Sequence, residues 1–109
     1  MAKEKEDLRE AVLKAIDYAL QLFGESVYRV VYYYCEAKFN VKRDELTDPE
    51  KIVCLADCIT EIFKGASSFL EEQIISSICR SLNVDRKTLP KGFKEALKKL
   101  TAYASGAKP

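Results

Sequence analysis

The chain has 109 residues, of which 48% are hydrophobic and 32% charged, and its formal net charge is +1. This composition fits one globular domain of common size, and no apolar run approaches the ~20 residues that span a bilayer. Histidine is absent, which removes the commonest general base, nucleophile activator and transition-metal ligand and argues against an enzyme.

The charge is unevenly spread. Residues 1–79 carry ten Lys/Arg against fifteen Asp/Glu, whereas residues 80–109 carry eight against two. An acidic body with a basic end can steer partners of either sign. The charged start, MAKEKEDLRE, contains no signal-peptide core, so the expected location is cytoplasmic.

Periodicity predicts a first helix over 4–23, with Leu8, Val12, Ala15, Ile16, Ala19, Leu22 and Phe23 inward. Leu13 and Leu20 lie at the edge of that stripe, Asp17 lies mostly opposite it, and Gly24 is the expected C-cap. Residues 25–39, ESVYRVVYYYCEAKF, are rich in strand formers. No second stretch offers a strand partner, so the segment reads as a helix with Val27, Val30, Val31, Tyr34, Cys35 and Lys38 on its inner face. Residues 40–47 form a connector, and Asp48-Pro49-Glu50 supplies a start signal for a third helix over 49–63. The expected central helix covers 67–82, with Phe69, Leu70, Ile74, Ile75, Ile78, Cys79 and Leu82 buried and a Ser68/Glu71 capping box. A second connector leads to Pro90 and a last helix over 90–104, before a frayed tail at 105–109.

A duplication emerges from this order. The pattern Asn-Val-x-Arg-x-x-Leu occurs at Asn40–Leu46 and again at Asn83–Leu89, each time after a helix and shortly before a proline. Phe23-Gly24 and Phe63-Lys64-Gly65 close the other helix of each pair. Asn suits a left-handed C-cap, while Val and Leu would fold the connector back onto the core. Two such pairs are too few for a solenoid. The expected fold is therefore all-α: a compact five-helix bundle of two similar helix pairs plus a closing C-terminal helix.

The run Glu61-Ile62-Phe63-Lys64-Gly65-Ala66, followed by an apolar helix ending Leu82-Asn83-Val84, resembles small archaeal helical domains of the Nitrosopumilus output domain type. The resemblance covers residues 8–84, and Lys64 departs from its Phe-Gly pattern. It implies an archaeal cytoplasmic module in signalling or regulation, with no catalytic residue assigned.

Four cysteines, Cys35, Cys54, Cys58 and Cys79, are candidates for core packing, a disulfide or zinc. Only Cys54 and Cys58 form a close pair, so packing is the preferred reading and no metal or other cofactor is expected. On the outer side of the second helix, Tyr28, Tyr32 and Tyr33 flank Arg29 and Glu36. Such a face fits either a protein contact or a helix sandwiched within its own bundle. Cys54, opposite the Ile52/Ile59/Ile62 stripe, is a possible addition to that contact. Arg86, Lys87, Lys91, Lys94 and Lys98 form a basic patch that could grip phosphates but lacks a DNA-reading motif. The leading expectation is a non-enzymatic protein-interaction or regulatory module that self-associates. A nucleic-acid-associated regulator and a cysteine-based redox or metal sensor are the alternatives.

Overall fold

Apolar residues at three- and four-residue steps wind almost the whole chain into helices. The computed structural model describes residues 2–106, and side chains from residue 8. Its helices are α1 (Ala2–Leu22), α2 (Glu25–Phe39), α3 (Ile52–Phe63), α4 (Ser67–Leu82) and α5 (Phe93–Ala104), with 3-10 turns at Arg43–Thr47, Lys64–Ala66 and Arg86–Thr88. No strand occurs among the described residues. The Cα radius of gyration, 12.9 Å, matches the ~13 Å of a compact domain this long.

The strand-forming run Val-Tyr-Arg-Val-Val-Tyr-Tyr-Tyr is helical throughout. Tertiary packing overrides its β preference because Val31 and Cys35 are buried along one helical line. α4 lies against α1, α3 and α5, and Leu70, Ile74, Ile75, Ile78 and Leu82 fill its inner side. Ala15 and Ala19 are buried on α1 and Ser77 on α4. The Ser77 hydroxyl donates to the Ala15 carbonyl at 2.9 Å, an approach that small side chains at the crossing permit.

Both Asn-Val connectors adopt the expected cap. Asn40 (φ 58, ψ 39) and Asn83 (φ 58, ψ 45) are left-handed. Val41 N–H then donates to the Cys35 carbonyl at 3.3 Å, and Val84 N–H to that of Cys79 at 2.9 Å. The Val84 bond is the six-to-one bond of a Schellman motif. At α2 the five-residue bond to the Cys35 carbonyl comes instead from Asn40 itself, and the Val41 bond reaches one residue further back. Leu46 and Leu89 are buried beyond these caps.

Several expectations are corrected. On α1 the buried stripe is turned toward Leu13 and Leu20, while Leu22 and Phe23 are exposed. The helix ends at Leu22 in a tight turn, with Gly24 N–H donating to the Gln21 carbonyl at 2.9 Å. α3 begins at Ile52 rather than residue 49, because Asp48–Lys51 first makes a turn in which Glu50 N–H donates to the Asp48 carboxylate at 2.9 Å. α5 begins at Phe93 rather than residue 90: Pro90 precedes a bend, and the first helical bond at this end runs from Ala96 N–H to the Gly92 carbonyl.

The Ser68/Glu71 box is not formed, since α4 starts directly from a 3-10 turn and no side chain caps it. Phe69 and Val30, both expected inside, are 68% and 46% exposed. In the tail, Ser105 is held rather than frayed. Its N–H donates to the Thr101 carbonyl at 2.9 Å and its hydroxyl to the Thr47 carbonyl at 3.3 Å. Residues 107–109 lie outside the described residues.

Candidate interaction surface

Two of the tyrosines proposed as an outer face turn inward. Tyr28 and Tyr32 are half-buried and meet edge to face, with ring centroids 5.2 Å apart. The Tyr32 hydroxyl donates to Asp17 Oδ1 at 2.6 Å, and Arg43 Nη2 donates to Asp17 Oδ2 at 2.6 Å. Burial, then the bond to Asp17, pushes the Tyr32 phenol far above its ordinary value; the same aspartate raises Arg43. This cluster joins α1, α2 and the first connector. It is an internal brace, and Tyr28 and Tyr32 are thereby withdrawn from an outer contact face. Tyr33 remains outward at 74% exposure, beside exposed Arg29, Val30 and Glu36.

The other flank of α2 meets α3. Tyr34 donates to Glu61 Oε1 at 2.6 Å, Lys38 Nζ reaches the same oxygen at 2.6 Å, and the Cys35 and Cys58 sulfurs are 2.8 Å apart. Tyr34, Cys35 and Lys38 on α2 therefore meet Cys58 and Glu61 on α3 along this seam. Cys54 is half-buried, and its thiol is raised by burial, as is that of buried Cys79. Among the described residues, no group of three or more Cys, Asp or Glu is placed to hold a metal ion.

The basic patch is partly committed. Arg86 reaches Glu72 at 3.2 Å and the Pro90 carbonyl at 3.2 Å, and Lys94 pairs with Asp57 at 2.8 Å. Lys87, Lys91 and Lys98 are exposed and make no ion pair among the described residues.

An apolar surface that the sequence reading missed lies where the two Phe-Gly junctions converge. Phe23, Phe63, Phe69 and Leu70 line an open groove of about 470 Å³, completed by Gly65, Ala66 and Ser68. The Phe23 and Phe69 rings meet edge to face at 5.8 Å. Phe69 is 68% and Phe23 37% exposed, and Leu22, adjoining Phe23 in the chain, is 58% exposed. The repeated Phe-Gly signature is the available signal in the sequence, although by itself it marks only where helices end. No family model, curated protein or solved structure matches this chain. No helix among the described residues is long and apolar enough to cross a membrane.

Proposed function

We propose that the protein is a non-enzymatic, cytoplasmic protein-interaction module that self-associates through the Phe23/Phe63/Phe69 groove. The observation that carries this reading is the exposure of Phe69 and Phe23 around one groove. Isolated exposed apolar residues are ordinary, whereas clustered aromatics at a groove are typical of contact sites. The lack of histidine supports a binding role over a catalytic one. The architecture fits the same proposal: two similar helix pairs, closed by α5, bring their Phe-Gly junctions to one place. A regulatory role and an archaeal origin belong to this reading through the resemblance noted in the sequence.

Size-exclusion chromatography with light scattering at high micromolar concentration tests it. The wild-type chain is expected above monomer mass, and Phe69→Glu is expected to return it to monomer with unchanged circular dichroism. A monomeric wild-type chain would overturn self-association. Dissociation by Tyr33→Glu instead of Phe69→Glu would move the contact to the outer side of α2.

A further inference from the structure

The seam between α2 and α3 holds two thiols that packing alone does not require to meet. Cys35 is 1% and Cys58 0% exposed, and their sulfurs are 2.8 Å apart. A disulfide holds its sulfurs about 2.05 Å apart. Closure thus shortens the sulfur–sulfur separation by less than about 1 Å. We propose that Cys35 and Cys58 form a dithiol–disulfide site, oxidised by small-molecule disulfides such as oxidised glutathione, that staples α2 to α3.

The placement supports access as well as proximity. Each cysteine stands three residues before a member of the exposed Lys38–Glu61 ion pair, so the thiols lie one turn along the seam from single surface side chains. Val41 N–H donates to the Cys35 carbonyl. The staple would therefore hold the capped end of α2, and with it the connector that carries Arg43. Contact with Cys35, followed by burial, holds the Cys58 thiol well above its ordinary range. The Cys58 thiol is accordingly held in its neutral form, and with both sulfurs buried the pair reacts through transient opening of the seam. Exchange with a small disulfide needs only one thiolate at a time, formed as the seam opens. A metal ion needs further ligands, and no group of three or more Cys, Asp or Glu is placed to hold one among the described residues.

The reaction balances. One protein sulfur attacks the small disulfide, forming a mixed disulfide and releasing one small thiol. The second protein sulfur attacks the first, forming the Cys35–Cys58 bond and releasing the second small thiol. The two protons of the protein thiols end on the two released thiols, and two electrons pass to the small disulfide.

The test uses the full chain carrying Cys54→Ser and Cys79→Ser, so that only the pair remains. The folded protein is equilibrated with oxidised and reduced glutathione, unfolded in acid, alkylated and weighed. The expected result is loss of both alkylatable thiols, a mass lower by two hydrogens with no bound glutathione, and a higher melting temperature that dithiothreitol reverses. Persistent free thiols across the glutathione series, or glutathione stably attached to either cysteine, would overturn the proposal. Peptide mapping of the oxidised wild-type chain keeps the test decisive if the double variant folds poorly. A Cys35–Cys58 peptide supports the site, whereas a Cys54–Cys58 or intermolecular link in its place refutes it.

Discussion

The two Asn-Val-x-Arg-x-x-Leu connectors share a left-handed asparagine cap and have different tertiary consequences. Asn40 and Asn83 share a left-handed cap, and Leu46 and Leu89 are both buried. Their arginines then diverge. Arg43 reaches Asp17 on α1, where the carboxylate also accepts from Tyr32, and the ion pair is largely shielded from solvent. Arg86 reaches Glu72 on α4, whose side chain is 57% exposed. The repeated motif therefore encodes how a helix ends, while the surroundings of the arginine's partner decide what the connector contributes to stability.

The largest expected effect separates these two braces. Asp17→Ala would leave the Tyr32 hydroxyl and the Arg43 guanidinium without their shared acceptor, at a cost of about 2–3 kcal/mol. Glu72→Ala removes a partner that water replaces, and should cost no more than ~0.5 kcal/mol. Urea unfolding of the two variants measures the difference. Equal losses would mean that the Asp17 cluster is a solvated surface pair and that the contrast is unfounded.

The Phe-Gly junctions provide a second contrast. Gly24 has φ 120, ψ 151, a region open essentially to glycine alone. At the other junction Lys64 takes φ 49, ψ −117, and Gly65, one residue later, does not relieve it. Gly24→Ala should therefore cost about 1–2 kcal/mol. Lys64→Gly should stabilise by about 1 kcal/mol, the relieved strain exceeding the added unfolded-chain entropy. Nothing stands within 4 Å of a Cβ built on Gly24, so a loss there would report backbone strain rather than a clash. Thermal melts of both variants decide the point, and a destabilising Lys64→Gly would show that the junction tolerates its lysine.

These contrasts also explain what could be read from the chain. The left-handed asparagine caps at Asn40 and Asn83 and the α4 stripe from Leu70 to Leu82 were legible because they depend on residues within one or two turns. Asp17 was not, because Tyr32 and Arg43 stand 15 and 26 residues away, and periodicity alone puts an aspartate on the solvent side. Tyr28 and Tyr32 escaped for the same reason, since α1 and α3 grip opposite flanks of α2. Phe69, Leu22 and Phe23 fit a helical stripe, but helical spacing does not reveal where the neighbouring helix stops covering it. The candidate site was therefore less legible than the fold: its groove exists only after residues 23, 63 and 69 have been brought together.

The smallest effect concerns pH and sharpens the contrast between the two flanks of α2. On the α1 flank Asp17 is shielded, whereas on the α3 flank Glu61 is exposed and held by Lys38 first and Tyr34 second, which lowers its pKa from the ordinary 4.5. A carboxylate with a depressed folded-state pKa adds stability that is complete above its unfolded value and is lost as pH falls through the folded one. Glu45 has the same sign, because the Lys42 N–H and then Lys51 hold its charged form. Lys38 and Tyr34 are raised, so their contributions persist through neutral pH and disappear only on the alkaline side. The expected urea midpoint is flat around neutrality and declines below the ordinary carboxylate value of 4.5. Glu61→Gln should make that acid decline shallower while lowering the neutral midpoint only slightly, since solvent screens the exposed pair. An acid limb unchanged in this variant would assign the dependence to other carboxylates and leave the α3 flank electrostatically silent.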